Sequence, residues 1–457
     1  MADHTFDLVV LGGGSGGYAA ALRAAELGSS VALIERDKVG GTCLHRGCMP
    51  TKAMLHVGEI ADAVRGAESH GVLAALEGID PERLARYRDS VVAKKFKGLQ
   101  GLIRTRGITV VHGEGRLSSP TSVTVGDDVY VGRNVVIATG ARARSIPGLE
   151  FGGRVLSSDG ALQLDRIPQT AAVLGGGVIG VEFASMWRSL GAEVTIIEAL
   201  PHLLPNEDEA ISKGLERAFR RREIDFRLGV PVRGVEQTEA GVTVALENGD
   251  TVEADVLLVA VGRAPNTAGI GLEELGVALD RGFVVTDGRL QTTVPGVYAV
   301  GDIVEGPQLA HRGFQHGVFV AEEIAGREPM VVDDANVPRV AYCTPEAASV
   351  GLSETAAAAK HGAGSVVSYE YSLAGNARSE ILGTNGLVKV VRVADGPVVG
   401  VHLLGARVGE LIGEAQLAVG WEAHPDDVAP FIHAHPTQNE ALGEAFLKLA
   451  GKPLHAT

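Results

Sequence analysis

One glycine pattern occurs twice in the chain, and both copies lie in the same local context. Each copy has the form G-x-G-x-x-G after a short apolar run, with Gly12, Gly14 and Gly17 in the first and Gly175, Gly177 and Gly180 in the second. A helical pattern rich in small residues and a second apolar run follow each time. The second run ends in an acid, Glu35 or Glu198, at the same spacing from the first glycine.

This pattern predicts a dinucleotide site in each copy. The first glycine permits a tight turn, the second lets the backbone approach a pyrophosphate, and the third allows helix and strand to pack closely. The helix N-terminus offers N–H groups to the phosphates, and the acid accepts hydrogen bonds from ribose hydroxyls. Two copies therefore predict an α/β chain with two duplicated Rossmann-like domains, whose last strands close at Gly140 and Gly262.

The first copy is longer than the second because it carries an insertion. This insertion contains the stretch GGTCLHRGCMPTK (40–52), with two of the three cysteines of the chain, Cys43 and Cys48. The hydrophobic periodicity predicts helices from residue 50 to about 64 and from 81 to about 106.

Charge and composition disfavour several classes of partner. The chain has 41 basic and 56 acidic residues, so its net charge of -15 repels phosphate backbones and anionic lipids. No apolar run approaches the ~18 residues of a membrane span, and the first residues lead directly into a strand. We therefore expect no nucleic-acid or membrane partner and a cytoplasmic location. The isolated Cys343 is predicted to be a small buried apolar residue.

Cys43 and Cys48 could form a structural disulfide, bind a metal or act as a redox pair. Structural disulfides are rare in a reducing compartment. Zinc would need more ligands than the nearby His45 and His56 supply, so we predict no metal. On an ideal helix, Cα atoms five residues apart are roughly 8.6 Å apart, which is too far for a disulfide. The sequence thus favours a reactive dithiol on a distorted helix, with Gly47 absorbing the distortion.

The second glycine copy is expected to bind NAD rather than NADP. Glu198 suits a free ribose 2′-hydroxyl, and the next residues are Ala199, Leu200 and Pro201. No arginine therefore follows the acid to hold a 2′-phosphate, although one from elsewhere in the fold could do so.

Together these segments resemble the flavoprotein disulfide reductases, the class I pyridine nucleotide-disulfide oxidoreductases. The redox segment matches their signature G-G-T-C-x4-C-x-P-[ST]-K. The other matching segments are IATGARARSIPG (137–148), VGRAPNT (261–267), TTVPGVYAVGDIVEGPQLAH (292–311) and HAHPTQNEALGEA (433–445). The resemblance extends over the whole chain.

The resemblance implies that the first nucleotide fold holds FAD and the second holds NAD. Cys48 is expected to stack on the flavin, and Cys43 to exchange disulfides with the substrate. Lys52 is expected beside the flavin and near Glu182. The residues expected to contact the two cofactors are Gly12, Gly14, Gly17, Glu35, Gly41, Thr42, Lys52, Thr139, Gly140, Gly175, Gly177, Gly180, Glu182, Glu198, Gly262, Asp302 and Ala310.

The same resemblance makes His435 the catalytic base and Glu440 the carboxylate that orients it. Thiol-disulfide exchange moves a proton at each step, which requires a base that titrates near neutrality. In the family this histidine reaches the cysteines of the other subunit of a homodimer. His433 is expected to have a packing or supporting role.

The repeats and the resemblance divide the chain into four segments. They are an FAD-binding domain with the redox insertion (1–147), an NAD-binding domain (148–270), a central region that completes the FAD domain (271–336) and a C-terminal α+β dimerisation domain (337–457).

Within the family, the pattern is most similar to the members that oxidise dihydrolipoyl groups. The implied substrate is a dihydrolipoyl group on an acyltransferase or carrier protein, and the implied reaction passes electrons through the Cys43–Cys48 disulfide and FAD to NAD. The homodimer is expected to dock on the core of a 2-oxo acid dehydrogenase complex. The sequence does not indicate which complex is served.

Two other functions use parts of the same pattern. A reductase of mycothiol or glutathione disulfide has the same cysteines and base, although Glu198 disfavours the NADP typical of the glutathione enzyme. An assembly subunit with little activity would not need the cysteines or the base. His45 and Arg46 stand where the family often has a small polar and an aliphatic residue, so their role stays open.

Overall fold

The computed structural model describes residues 3–456. The chain forms two compact units. Within the described residues, the first unit comprises 3–53, 82–144 and 262–334, and the second comprises 54–81, 145–261 and 335–456. The domain boundaries predicted from the sequence (147, 270 and 336) stay predictions.

Residues 3–456 contain 24 β-strands, numbered here in chain order. They are β1 (Asp3–Leu11), β2 (Val31–Glu35), β3 (Thr109–His112), β4 (Gly115–Ser119), β5 (Ser122–Val125), β6 (Asp128–Ile137), β7 (Ala141–Ala143), β8 (Val155–Leu156), β9 (Thr170–Leu174), β10 (Glu193–Glu198), β11 (Ile224–Leu228), β12 (Val232–Gln237), β13 (Val242–Leu246), β14 (Thr251–Ala254), β15 (Val256–Val259), β16 (Arg263–Pro265), β17 (Leu279–Asp280), β18 (Phe283–Val284), β19 (Val297–Ala299), β20 (Arg339–Ala341), β21 (Glu346–Gly351), β22 (Val366–Ser372), β23 (Leu387–Val393) and β24 (Val398–Gly405).

The same residues contain 13 α-helices and several short 3₁₀ turns. The helices are α1 (Ser15–Glu26), α2 (Gly41–Arg46), α3 (Cys48–Gly66), α4 (Pro81–Thr105), α5 (Ser158–Ala161), α6 (Val178–Leu190), α7 (Glu209–Arg221), α8 (Ala310–Ile324), α9 (Glu354–His361), α10 (Ala377–Ile381), α11 (Ile412–Gly420), α12 (Pro425–Val428) and α13 (Glu440–Leu449).

The first unit is built on a seven-stranded sheet. The order of six of its strands is β3-β2-β1-β6-β5-β4. The seventh strand, β19, pairs in parallel with the C-terminal end of β6, which β5 does not reach. β1, β2, β3 and β6 are parallel, with Val10 opposite both Leu33 and Val136. All three side chains are fully buried, because parallel strands covered on both faces need continuous apolar runs.

The second unit repeats this arrangement in its nucleotide fold. Its parallel sheet has the order β11-β10-β9-β15-β8, with Ile196 opposite Val173. β9, α6 and β10 follow the same strand-helix-strand order as β1, α1 and β2. The duplication predicted from the glycine pattern is therefore confirmed.

The insertion in the first copy is helical, as predicted. α3 and α4 extend over both predicted helical segments, and α2 precedes them. The helical course is interrupted at Gly47, between α2 and α3.

The C-terminal part has a different architecture. Its five-stranded antiparallel sheet has the order β20-β21-β24-β23-β22. α11 and α13 pack on this sheet around buried residues such as Val401, Leu403 and Phe446. The predicted fold class, two Rossmann-like folds plus a C-terminal α+β part, is confirmed.

No helix within residues 3–456 combines the length and the apolar composition needed to cross a membrane. The same residues contain no group of three or more His, Cys, Asp or Glu side chains arranged to hold a metal ion.

Candidate active site

The first glycine loop has the geometry that its sequence predicts. Gly12 has a φ of 104°, and a Cβ there would lie 2.3 Å from the carbonyl oxygen of Ala138. A Cβ on Gly17 would lie 1.8 Å from the Gly12 oxygen, so only glycine permits the close approach of α1 to the turn. A Cβ on Gly14 would meet no atom within 4 Å. The open space is therefore beside the glycine expected to approach a pyrophosphate.

The second glycine loop reproduces these distances in the other unit. A Cβ on Gly175 would lie 2.4 Å from the Ala260 oxygen, and one on Gly180 would lie 1.9 Å from the Gly175 oxygen. The space beside Gly177 is open, as it is beside Gly14. Both loops thus leave room for a phosphate group before the first turn of a helix, and each fits a dinucleotide.

The two acids also have matching contacts. Glu35 accepts hydrogen bonds from the amides of Gly13 (2.7 Å) and Asp37 (2.8 Å). Glu198 accepts them from Gly176 (2.6 Å) and Leu200 (2.8 Å). These amides fix each carboxylate at the end of its strand, and the remaining lone pairs can accept from ribose hydroxyls.

The surroundings of Glu198 agree with a nucleotide that lacks a 2′-phosphate. Arg227 lies on the neighbouring strand, opposite Ile197. Its guanidinium donates to the Phe226 carbonyl (3.3 Å) and lies 3.4 Å from the Asp225 carboxylate. The Arg227 side chain thus contacts residues of its own strand and is not directed toward Glu198.

Thr139, Gly140 and Gly262 lie where two chain segments of the first unit pair. β7 and β16 form a short antiparallel ladder. The hydroxyl of Thr139 donates to the Asn266 carbonyl (2.8 Å), and the Asn266 side chain donates to the Thr139 carbonyl (3.0 Å). Asn266 was not predicted from the sequence, because this reciprocal pair joins residues far apart in the chain.

Asp302 lies in a 3₁₀ turn after β19 and is half-buried. Burial raises the pKa of Asp302, and the charges of Arg263 and Arg312 oppose that rise. Arg263 Nε lies 3.9 Å from the Asp302 carboxylate. Ala310 is the first residue of α8, so its position suits an expected contact with a phosphate or a polar cofactor atom.

The redox segment begins against the first glycine loop. The Gly40 amide donates to the Gly13 carbonyl (2.7 Å), and a Cβ on Gly41 would lie 2.7 Å from the Gly14 Cα. Thr42 follows Gly41 in α2, and Cys43 comes next. The segment that carries both cysteines therefore begins in contact with the first glycine loop.

The predicted distortion between the cysteines lies at Gly47. Gly47 ends α2 with φ -138° and ψ -110°, and α3 begins at Cys48. A Cβ on Gly47 would lie 3.0 Å from the Thr42 carbonyl oxygen. The interruption brings two thiols together that a continuous helix would separate.

The two cysteines are in the thiol form and interact directly. A hydrogen bond to Cys48 raises the pKa of Cys43, and burial and the charge on Cys48 raise it further, while the charge of Lys52 lowers it. Cys43 therefore keeps its proton when Cys48 carries the negative charge. A thiol in this condition needs a base before it can act as a nucleophile.

Tyr18 is a further residue near the dithiol. Burial raises the pKa of Tyr18 to about 12, and the charges of Cys43 and Cys48 contribute. Its ring also lies 5.5 Å from that of Phe314. Its position directly after Gly17 was a signal that sequence reasoning did not use.

His45 and Arg46 have partners of their own in the first unit. His45 Nε2 lies 2.9 Å from the Val39 carbonyl, and its ring meets Phe96 edge-on. Arg46 forms an ion pair with Asp37 at 3.0 Å. Both side chains thus help to hold the redox segment in place.

His435 and Glu440 form a pair in the second unit. His435 Nδ1 lies 2.8 Å from Glu440 Oε1, and the Thr437 amide donates to Glu440 Oε2 at 2.7 Å. Burial raises the pKa of Glu440, but the hydrogen bonds from Thr437 and His435 outweigh it, and the net pKa is lowered. A charged Glu440 fixes the Nδ1–H tautomer and leaves Nε2 of the exposed His435 available as a base.

Glu182 and Cys343 both lie buried in the second unit. Glu182 accepts a hydrogen bond from the Tyr342 amide at 3.0 Å. Cys343 is 1% exposed, so it is the small buried residue that the sequence predicts, and burial raises the pKa of its thiol. Lys52 and Glu182 belong to different units, as do the cysteines and His435, so their proximity stays a prediction.

Family comparisons cover nearly the whole chain. Residues 6–317 match the model for pyridine nucleotide-disulphide oxidoreductases, and residues 337–446 match the dimerisation domain of that family. The chain belongs to the pyridine nucleotide-disulphide oxidoreductase family, whose cofactors are FAD and NAD.

Two curated proteins and one solved structure show which members of this family the chain is similar to. A dihydrolipoyl dehydrogenase of Bacillus subtilis is 39% identical over 98% of this chain and 99% of that protein. One from Thermus scotoductus is 39% identical over 99% of both. The solved structure of LpdA from Mycobacterium tuberculosis superposes with a TM-score of 0.90, at 28% identity, covering 98% of this chain and 99% of that one. The resemblance found in the motifs is confirmed.

Proposed function

We propose that this protein is a dihydrolipoyl dehydrogenase, which oxidises dihydrolipoyl groups and reduces NAD. The observation that supports this most is the interacting Cys43–Cys48 pair held beside the first of two duplicated nucleotide loops. The similarity to curated dihydrolipoyl dehydrogenases over almost the full length of both chains agrees with it.

The chain's own residues would perform the dithiol chemistry. His435 of the partner subunit takes a proton from one thiol of the substrate, and the resulting thiolate attacks Cys43 in the Cys43–Cys48 disulfide. A mixed disulfide forms, and Cys48 leaves as a thiolate. The second substrate thiol then displaces Cys43, which closes the lipoyl disulfide. One proton stays on Cys43 and the other passes through the histidine to solvent.

Two features of the described residues fit these roles. The raised pKa of Cys43 favours its protonated form beside the Cys48 thiolate, which is the state that the exchange leaves behind. The Glu440 carboxylate favours the His435 tautomer whose Nε2 can accept a proton. FAD held at the first glycine loop would supply the acceptor for the electron pair of this dithiol, and NAD held at the second glycine loop would be the final acceptor.

We further propose that the protein acts as a homodimer and that each site takes its base from the other subunit. Large apolar side chains are exposed on the C-terminal part of the single chain, as at a surface that a second copy covers. They include Leu417, Trp421, Phe431 and Ile432, with Trp421 75% and Ile432 98% exposed. Phe431 and Ile432 directly precede the segment that carries His435.

The proposed substrate is a dihydrolipoyl group on an acyltransferase or carrier protein in a 2-oxo acid dehydrogenase complex. This part of the proposal rests on the sequence resemblance. A cytoplasmic location likewise stays a prediction.

A substrate comparison tests the proposal. Turnover of dihydrolipoamide with NAD is compared with NADH-dependent reduction of glutathione disulfide and of mycothiol disulfide. We expect the dihydrolipoamide reaction to have the highest kcat/KM. A higher value for either disulfide would assign the protein to the corresponding reductase, and FAD-bearing protein inactive with all three would favour an assembly role.

A further inference from the structure

His433 lies two residues before the proposed base but is directed to a different carboxylate. Its Nε2 lies 2.9 Å from Glu414 Oε1. The His433 side chain is 11% exposed, whereas that of His435 is 72% exposed. The first histidine therefore belongs to the interior of the C-terminal part.

Glu414 contacts both ends of the segment that carries the base. It lies in α11, and its second oxygen accepts a hydrogen bond from the Asn439 side chain at 2.5 Å. Asn439 immediately precedes α13, which begins with Glu440. One carboxylate thus holds His433 before the base and Asn439 just before its orienting acid.

Packing leaves the His433 ring little room to move. A Cβ on Gly443 would lie 2.5 Å from His433 Nδ1, so the ring rests directly on the backbone of α13. Within the loop, the Thr437 hydroxyl donates to the Ala434 carbonyl at 2.7 Å. The loop between His433 and Glu440 is therefore tied at its two ends and in its middle.

Charge strengthens the contact between His433 and Glu414. The hydrogen bond to Glu414 raises the pKa of His433 above its usual value, and this effect outweighs burial, which lowers it. The charge of Glu414, a hydrogen bond to the Phe431 backbone and the charge of Glu440 raise the pKa of His433 further. Burial raises the pKa of Glu414, but the bonds from His433 and Asn439 outweigh it and the net pKa is lowered. Charge-assisted hydrogen bonds are stronger than neutral ones, which suits a contact that must fix geometry.

We propose that Glu414 and His433 are positioning residues, which hold the 433–440 loop so that His435 and Glu440 stay paired and aimed at the substrate. This inference rests on the proposed function, in which His435 is the base. Neither residue touches the reacting atoms, so their loss changes kcat and leaves KM unchanged.

The test compares Glu414→Ala with Glu414→Gln in the full-length, FAD-loaded protein. Glutamine keeps one side-chain oxygen, which can accept from His433, and its NH2 group can donate to the Asn439 oxygen once that side-chain amide turns over, whereas alanine removes both contacts. We expect Glu414→Ala to lower kcat for dihydrolipoamide on the order of ten- to a hundred-fold, as misplaced catalytic groups do. Glu414→Gln should recover most of that loss. NADH oxidation by an artificial dye, which needs no base, should stay unchanged in both.

A second pair of variants, at His433, tests the same contact independently in case the Glu414→Ala protein folds poorly. His433→Gln keeps a donor toward Glu414 and His433→Leu does not, so kcat should fall in the leucine variant and largely survive in the glutamine variant. Asp426→Asn, which removes an exposed ion pair with Lys452 in the same part of the chain, is the matched control.

Distinct results would overturn the inference and the proposed function. Wild-type protein inactive with dihydrolipoamide refutes the function. Active wild type with undiminished kcat in Glu414→Ala and His433→Leu refutes the positioning role. Equal loss of dithiol and dye activities, or no recovery in the glutamine variants, also refutes it.

Discussion

His435 Nδ1 lies 2.8 Å from Glu440 Oε1, and this pair makes Nε2 of the histidine the atom that accepts a proton. His435→Gln should therefore lower dihydrolipoamide turnover by roughly 10²- to 10⁴-fold, because a general base is removed. Electron transfer from NADH to an artificial dye should continue at the wild-type rate. Both rates are measured on the same preparation, and a parallel fall in both would contradict the role of base.

A mixed dimer tests whether each active site draws on two subunits. Cys43→Ser and His435→Gln chains are co-expressed with different tags, and the heterodimer is purified. One of its sites would combine both defects, and the other would have an intact dithiol and an intact histidine. We expect about half the wild-type activity per dimer, since one of two sites is intact. An inactive heterodimer would indicate that cysteines and base come from one subunit.

The open spaces at Gly14 and Gly177 predict separable cofactor defects. A valine side chain at Gly14 would fill the space of the first loop and should prevent FAD binding. Valine at Gly177 should leave the protein yellow but raise the KM for NAD. Flavin absorbance and steady-state kinetics measure the two effects. Gly234→Ala, at another open position without a positive φ, is the control and should change neither.

These two glycine loops were also the part of the fold that the sequence predicted best. The pattern is local, since the turn, the close helix packing and the acid all lie within one strand-helix-strand unit. The break at Gly47 was predictable for the same reason, because helix geometry forbids a contact between cysteines five residues apart.

Other parts of the site could not be read from the sequence. Glu414 lies in a different helix from His433 and Asn439, both of which it contacts. Thr139 and Asn266 are hydrogen-bonded in the first unit, although most of the second nucleotide fold separates them in the sequence. Such contacts depend on tertiary packing, and they produce no regular spacing of residues from which they could be predicted. His45 was ambiguous for this reason too, since its partners only become neighbours when the redox insertion folds.

A buried ion pair in the second unit should make stability depend on pH. Burial raises the pKa of Asp208, but hydrogen bonds from the Glu354 amide, Lys389 and the Ala210 amide outweigh it, and the net pKa is lowered. Lys389 Nζ lies 2.9 Å from this carboxylate. Because the folded-state pKa is lowered, the stabilisation is complete above the unfolded pKa of about 4 and disappears as pH falls through the folded value.

Asp208→Asn should therefore lower the melting temperature at neutral pH, but by less than the roughly 3–5 kcal/mol typical of breaking a buried pair, because Lys389 Nζ still lies 2.6 Å from Glu354. The difference from wild type should shrink in acid. Glu209→Gln is the matched control, because the neighbouring Glu209–Lys213 pair is exposed and contributes little. A pH-independent difference would contradict the assignment of the effect to the Asp208 charge.

Formation of NADH from dihydrolipoamide and NAD, by wild type and by Cys43→Ser, tests the central claim most directly. The account predicts rapid NADH formation by the wild-type protein, with one NADH for each dihydrolipoamide consumed. Cys43→Ser should retain FAD and NADH-dye activity but form no measurable NADH from dihydrolipoamide. FAD-loaded wild type that forms no NADH, or a Cys43→Ser protein that still does, would contradict the account.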